Sequence, residues 1–189
     1  MAGELANILL RNRYALIPNG GALLDESATL DELLLALADE KLTLWVQMGH
    51  GVRPTVEGAE STEYLALAGT NRMMPQQLAR LRLESTVVHL DCCLTGTTRW
   101  KGGGRFVGHP TAVLLAGASC VLSSVHALFD DTAAEFSARL YNKTLREQNP
   151  MSLGEALFQT QREMAMKYHD NPIVWATTVV WGNPWVQLT

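Results

Sequence analysis

The chain has 189 residues, of which 47% are hydrophobic and 18% are charged. This length and composition predict one packed globular domain and exclude a disordered chain. A net charge of −4 argues against a broad nucleic-acid-binding surface. There is no apolar run of the roughly 18 residues that a membrane span needs, and the N-terminus lacks the pattern of a signal peptide. Three cysteines, two of them adjacent, make a poor disulfide framework, which predicts a cytoplasmic protein.

Helical and strand patterns alternate along the chain. The predicted strands cover residues 14–18, 42–48, 63–67, 86–90, 119–125 and 173–181. The predicted helices cover residues 1–13, 30–38, 76–81, 111–116, 133–147 and 152–167. This alternation predicts an α/β protein with a mostly parallel sheet and helices on both faces, as a single domain over residues 1–189.

Several helix starts carry recognisable signals. Thr29 is a predicted N-cap, Ser152 and Glu155 have the spacing of a capping box, and Asp130 or Asp131 is expected to cap the long helix over residues 133–147. The basic, glycine-rich residues 99–104 predict a mobile loop. His109 lies next to a proline and is expected at the surface, whereas Met164, Met166 and Trp185 are expected to pack.

Two predicted strands end in reactive residues. The first runs into Gly49-His50-Gly51, and the second ends at Asp91-Cys92-Cys93. A hairpin and a helix separate them, which is enough chain for a crossover between neighbouring parallel strands. We therefore expect His50 and Cys93 to lie at the same edge of the sheet, where α/β proteins bind ligands.

A cysteine beside a histidine is a recognised nucleophile–base combination. The thiolate is the reactive form of cysteine, and an imidazole is the side chain best suited to receive its proton near neutral pH. The glycines around His50 would admit a substrate, and the amides of Gly51 and Cys93 would form an oxyanion hole. The residues alone leave open a structural histidine and a cysteine that only packs in the core.

Six segments in order resemble the CHAT domain, a caspase-like cysteine protease domain related to separases, metacaspases and clostripain-type proteases. They are residues 45–51 (WVQMGHG), 90–96 (LDCCLTG), 116–118, 122–131 (LSSVHALFDD), Trp175 and 181–184 (WGNP). The resemblance runs from about residue 27 to the C-terminus, and residues 1–26 match poorly. It implies a three-layer α/β/α caspase-like fold and a dyad of His50 and Cys93. Cys93 is preferred to Cys92 because the nucleophile usually precedes x-Thr-Gly directly.

Asp91 departs from the usual CHAT pattern, which has a small residue two positions before the nucleophile. Here the sequence resembles metacaspases, in which this aspartate lies in the S1 pocket and binds a lysine or arginine at P1. Residues two apart on a strand share a face, and a carboxylate in a partly buried pocket favours a basic side chain. The alternative is that Asp91 orients His50 or caps a turn. Related proteases often bring a second S1 acid from the region of Asp130 and Asp131, whose alternative role is helix capping.

Two further features bear on regulation. His126 stands where the family often has an aromatic residue, so it either lines the substrate cleft or packs, and we expect it to pack. CHAT domains generally carry more sequence before the first strand unit, so the chain is a small family member, a trimmed form or a fragment. The first case implies an activating or sensor partner, and the last implies association with a missing N-terminal half. The basic loop over residues 99–105 is either a site of autocleavage or a solvated loop.

The resulting expectation is a cysteine endopeptidase that cleaves protein substrates after Arg or Lys, under the control of a partner. The alternative is a non-catalytic caspase-like scaffold that binds another protein. We expect no cofactor and no metal, because His89, Cys92 and Cys93 cannot easily share one tetrahedral site when adjacent strand residues point to opposite faces. Neither nucleic acid nor a membrane is expected as a partner.

Overall fold

The computed structural model describes residues 25–53, 63–101, 105–146 and 148–188. The strands in these ranges are β1 (Leu44–Gly49), β2 (Gly51–Val52), β3 (Tyr64–Ala66), β4 (Arg72–Met73), β5 (Val87–Cys92), β6 (Arg99–Lys101), β7 (Arg105–Val107), β8 (Cys120–Ser124) and β9 (Thr178–Gly182). The α-helices are α1 (Leu30–Leu37), α2 (Pro75–Leu78), α3 (His109–Leu115), α4 (Asp130–Thr144) and α5 (Leu153–Lys167). The helix predicted over residues 1–13 and the strand predicted over 14–18 lie outside the described residues.

The central sheet has the strand order β1-β5-β8-β9. Strands β1, β5 and β8 are parallel, and β9 pairs with β8 in the antiparallel direction. The mostly parallel α/β sheet predicted from the sequence is confirmed. Its three parallel strands end at one edge, which is where the reactive residues of β1 and β5 lie.

Each face of the sheet packs on its own layer of helices. Helices α4 and α5 cover one face through side chains such as Phe136, Leu140 and Leu157. Helices α1, α2 and α3 cover the other face, with Leu33, Leu78 and Val113 among the buried residues of that core. The arrangement is a three-layer α/β/α sandwich, and β5 lies in its centre with all six residues buried.

The local signals at the helix starts were correct in part. Thr29 Oγ1 accepts a hydrogen bond from the Glu32 amide at 3.3 Å, and Ser152 Oγ accepts one from the Glu155 amide at 3.4 Å. The prediction that an aspartate caps the long helix is wrong. Helix α4 begins at Asp130 itself and Phe129 is its N-cap, so both aspartates lie within the first turn. Negative charges in the first turn interact favourably with the helix dipole.

Two predicted segments differ from the observed ones. The last strand was expected over residues 173–181, but Pro172–Val174 forms a short 3-10 helix and β9 begins only at Thr178. The loop predicted to be mobile contains two short paired strands, with Trp100 opposite Phe106. Aromatic residues favour strands, and this preference outweighs the glycine-rich composition on which the loop prediction rests. Residues 102–104 lie outside the described part.

Candidate active site

The register of β1 and β5 brings the two reactive segments together. Gly49 pairs with Cys92 as the last residues of the two parallel strands. His50 directly follows β1 and Cys93 directly follows β5, so both residues lie at the carboxyl edge of the sheet. His50 is exposed and Cys93 is partly buried, which leaves this edge open to solvent.

Gly51 lies in close contact with the backbone of Cys93. A Cβ atom at position 51 would overlap the Cys93 carbonyl oxygen and would lie 2.9 Å from the methyl group of Thr95. Only glycine fits, since the obstructing atom is backbone and cannot rotate away. The segment after His50 is thus held against the segment that carries Cys93.

A tight turn follows Cys93. Leu94 has a φ of 58°, in the left-handed region that non-glycine residues seldom adopt. The Thr95 hydroxyl lies 2.9 Å from the Cys92 carbonyl oxygen and 3.0 Å from the Leu90 carbonyl oxygen, and so bonds back to the end of β5. The Leu94 amide donates to the carbonyl of His126 at 3.1 Å. These bonds compensate for the unfavourable backbone and fix Cys93 at the point where the strand turns.

The segment between β8 and α4 reaches the thiol. The Leu128 amide donates to Cys93 Sγ at 3.3 Å, just before the amino end of α4. This hydrogen bond holds the residues that precede α4 against Cys93. Val125 and Phe129 belong to the same segment and remain 38% and 55% exposed. His126 is exposed as well, and the prediction that it packs is wrong.

Cys92 occupies a different environment from its neighbour. It is 1% exposed among the apolar side chains that face α1, α2 and α3, and its thiol donates to the Gln47 carbonyl at 3.4 Å. Burial raises the pKa of the Cys92 thiol well above its ordinary value, and the nearby charge of Asp91 raises it further. Cys92 is therefore a core thiol, as the alternation along the strand predicts.

Asp91 points to the opposite face of β5, toward α4. It is 9% exposed, and its Oδ2 accepts a hydrogen bond of 2.7 Å from the Ser137 hydroxyl. Asp130 and Asp131 are exposed on the first turn of the same helix, about two turns before Ser137. In the described ranges, no hydrogen bond or ion pair joins either of them to Asp91.

A buried histidine lies near Glu63, which in turn contacts the segment that follows His50. His109 is 2% exposed, so its predicted surface position is wrong, and its Nδ1 lies 3.8 Å from Glu63 Oε2. Glu63 also lies 3.5 Å from Arg53, two residues after Gly51. Burial lowers the pKa of His109 to about 4, so the imidazole is neutral at pH 7. The first turn of α3 thereby contacts the chain that leads away from His50.

Two contacts of the site were not found from the sequence. The Leu128 amide is a backbone group, and the direction of a backbone amide cannot be predicted from the residue type. Ser137 could have been noticed, because it lies four residues before Tyr141 on the buried side of α4, where the other inward side chains are mostly apolar.

The described part of the chain contains no cluster of three or more metal-binding side chains. None of its helices is long and apolar enough to cross a membrane. All three cysteines lie in the described ranges and are free thiols.

Solved structures with the same fold belong to larger proteins. The Arg-specific cysteine proteinase gingipain R (RgpB) matches with a TM-score of 0.72 at 15% identity, over 98% of this chain and 41% of that one. A complex of the Porphyromonas gingivalis RgpB pro- and mature domains matches at 0.71. Separase from the Saccharomyces cerevisiae separase–securin complex matches at 0.62 with 18% identity, over 95% of this chain and 11% of that one. These likenesses identify the fold as caspase-like.

A comparison with curated protein sequences finds no match to the chain. The chain spans less than half the length of the structures that it resembles. The family model of the CHAT domain, in contrast, matches residues 4–183, which is nearly the whole sequence. The chain belongs to the CHAT domain family.

Proposed function

We propose that this protein is a cysteine endopeptidase in which Cys93 is the nucleophile and His50 is its general base. The observation that carries the proposal is the strand register, because Gly49 and Cys92 pair and the next residues are the histidine and the cysteine. Two chemically complementary side chains at the open edge of an α/β sheet are the usual arrangement of a catalytic site. The caspase-like fold and the membership of the CHAT family support the same activity.

The roles follow from the chemistry of peptide hydrolysis. The Cys93 thiolate attacks the carbonyl carbon, and the proton accepted by His50 is passed to the leaving amine. The amides of Gly51 and Cys93 are proposed to bind the developing oxyanion. The contact between Gly51 and the Cys93 backbone supports this pairing, since it holds the two amide-bearing segments side by side.

Asp91 is proposed to bind a basic P1 side chain. Its carboxylate lies two residues before the nucleophile, near the active edge, and keeps 9% of its surface exposed. One of the structures with this fold, gingipain R, is an Arg-specific proteinase, which supports the choice of a basic P1 residue. Asp130 and Asp131, exposed at the start of α4, are proposed as secondary acids that attract the basic substrate.

Control by a second protein is part of the proposal. Two of the structures with this fold are complexes, one of separase with securin and one of gingipain pro- and mature domains. We propose that an activating or sensor protein, or a further segment of a longer chain, regulates access to Cys93. Cytoplasmic location is proposed from the three free thiols.

The deciding experiment is covalent labelling with a peptidyl chloromethylketone that carries Arg or Lys at P1, followed by mass spectrometry of the modified residue. Labelling at Cys93 that is lost in His50→Ala supports the dyad. Labelling requires only that the thiolate and the S1 pocket be formed, so it detects an enzyme with slow turnover. The same proteins are then tested for cleavage of Arg and Lys reporter peptides.

Cys92→Ala is the matched control, because it removes an adjacent thiol that is buried on the other side of β5. It is expected to be labelled and to cleave as the unaltered chain does, whereas Cys93→Ala does neither. Cleavage by Cys93→Ala would contradict the proposal. A chain that is not labelled under any condition, with or without cell extract, is the outcome expected of a caspase-like scaffold.

A further inference from the structure

The face of β5 that packs on α4 carries two polar pairs with matching spacing. His89 Nδ1 and Tyr141 Oη lie 2.9 Å apart, and the Ser137 hydroxyl donates to Asp91 Oδ2 at 2.7 Å. The strand partners are two residues apart and the helix partners are four apart, which are the spacings at which side chains share a face. All four residues are at most 9% exposed. The polar ladder runs along β5 toward Cys93.

Asp91 has no positive partner in this ladder. Burial lowers the pKa of His89, so its imidazole is neutral at pH 7 although the charge of Asp91 acts in the opposite direction. Tyr141 and Ser137 are neutral as well. Among the described residues, no lysine or arginine forms an ion pair with Asp91. Burying a carboxylate without a counter-charge costs free energy of folding. Groups that carry such a cost are characteristic of functional sites.

The cations of α4 are engaged elsewhere. Arg139 lies 2.8 Å from Glu135 and 3.2 Å from Glu163, and Lys143 lies 2.9 Å from Glu163. The Arg139–Glu135 pair lies within α4, and the two pairs with Glu163 join α4 to α5. They also hold α4 in place, so Ser137 is carried by a helix that is fixed at several points. A basic group that compensates Asp91 therefore has to come from outside the described chain.

We propose that Ser137 is a positioning residue for P1 specificity: its hydroxyl holds the Asp91 carboxylate in the orientation that receives the basic side chain of the substrate. The inference rests on the proposed function and adds to it a residue on a different element. With Oδ2 fixed by the serine, the carboxylate cannot rotate freely, and the remaining oxygen is available to a guanidinium or ammonium group. Binding sites gain affinity when the recognising group is held in place before the ligand arrives.

A purely structural role makes a different prediction. If Ser137 only satisfies a buried acceptor, its removal lowers the stability and changes the cleavage of basic and neutral substrates by the same factor. If Ser137 positions Asp91, its removal weakens recognition of the basic P1 residue and leaves a neutral P1 residue unaffected. The ratio between the two substrates separates the roles.

The experiment compares two peptides that differ only in arginine or citrulline at P1, because citrulline has nearly the shape of arginine without its charge. Ser137→Ala is expected to lower the arginine-to-citrulline ratio of kcat/KM about tenfold, through a higher KM for the arginine peptide. Citrulline cleavage is expected to stay within about twofold of the unaltered chain. The same ratio is measured as labelling rates with arginyl and citrullyl chloromethylketones, which need no turnover.

Thr144→Val is the matched control. Thr144 is a second buried hydroxyl on α4, it bonds only to carbonyls of its own helix among the described residues, and valine has its shape. This variant is expected to keep the arginine-to-citrulline ratio. An unchanged ratio in Ser137→Ala, or an equal fall in Thr144→Val, overturns the inference.

Failure of the proposed function gives a different result. If Cys93 is not the nucleophile, the unaltered chain neither cleaves nor is labelled at that residue. If Asp91 does not bind the P1 side chain, Asp91→Asn keeps the arginine preference. The positioning role of Ser137 is then refuted as well. If cleavage depends on Cys93 and the arginine preference depends on Asp91 but is unchanged in Ser137→Ala, the inference is refuted and the proposed endopeptidase activity is not.

Discussion

The two faces of β5 differ in chemistry although they belong to one buried strand. Toward α1, α2 and α3 the strand presents Val88, Leu90 and Cys92, and that core is apolar. Toward α4 it presents His89 and Asp91, each hydrogen-bonded to a polar residue of the helix. Both faces are almost completely buried.

This difference indicates which face is adapted for activity. An apolar face needs only to be filled, and its stability follows from the area that it removes from water. A polar face adds little net stability, because each buried polar group gives up its hydrogen bonds with water in exchange for those with its protein partner. The polar ladder ends at the turn that carries Cys93, so we infer that it is retained for the site at the edge.

The largest effect is expected from Gly51→Ala at the edge. The added methyl group overlaps the Cys93 carbonyl oxygen, so one of the two backbone segments must shift. We expect the free energy of unfolding to fall by about 2–4 kcal/mol and kcat/KM to fall at least about 100-fold. Denaturant titration and peptide cleavage measure the two effects.

Gly69→Ala provides the comparison for that variant. Gly69 has a φ of 62° but open space around it, so alanine there adds backbone strain without a clash. It is expected to cost about 1 kcal/mol and to leave cleavage unchanged. Equal losses of activity in the two variants would mean that the close contact of Gly51 has no special role.

The apolar face of β5 is tested by Cys92→Ala. Removing a fully buried sulfur leaves a small cavity, and we expect a loss of about 1–2 kcal/mol with activity retained. Because burial raises the pKa of Cys92, the native protein should also resist alkylation at this residue at pH 8, as measured by mass spectrometry. Rapid alkylation of Cys92 in the folded chain would show that this face is not closed.

The polar face is tested by Tyr141→Phe. This change removes the hydroxyl that lies 2.9 Å from His89 and leaves the imidazole nitrogen buried with one partner fewer. We expect the free energy of unfolding to fall by about 1–2 kcal/mol, while the arginine-to-citrulline preference stays as it was. A changed preference would extend the specificity role along the whole ladder and would make Ser137 less distinctive.

The sequence predicted the parallel sheet, the position of His50 and Cys93 at one edge of it and the two faces of β5, because each depends on local rules. Alternation along a strand assigns faces, and the carboxyl ends of parallel strands meet at one edge. It did not predict the partners that arrive from elsewhere in the chain. Ser137 reaches Asp91 across 46 positions, and the Leu128 amide reaches Cys93 across 35. Such contacts depend on how a helix is placed on the sheet, which tertiary packing decides.

The errors have the same origin. His109 was predicted to be exposed because it precedes a proline, yet the helix that begins there is packed against the segment containing Glu63. Trp185 and Met166 were predicted to pack, but they are 74% and 73% exposed. Hydrophobicity alone does not say on which side of a helix or turn a residue will lie. Met164, two residues before Met166 on α5, is fully buried.

The smallest effect is expected in the ion pairs that join α4 to α5. Glu135 is partly buried, which raises its pKa, but hydrogen bonds from Lys167, Tyr168 and Arg139 outweigh that effect and lower the pKa to about 2. Its ordinary value is 4.5, so the native state favours the ionised form. The stabilisation is therefore complete above about pH 5 and is lost as the pH falls toward 2.

Glu135→Gln isolates this contribution, because it keeps the size of the side chain and removes the charge. Above pH 5 in low salt, we expect the variant to be less stable by about 1 kcal/mol, since partly exposed ion pairs are weakened by solvent. The difference between the two proteins should shrink toward zero at pH 2 and should also shrink in 1 M salt. A difference that is constant with pH would assign the effect to packing. The arginine preference should persist in this variant above pH 5, because Arg139 and Lys143 keep their bonds to Glu163 and still hold α4 beside Asp91.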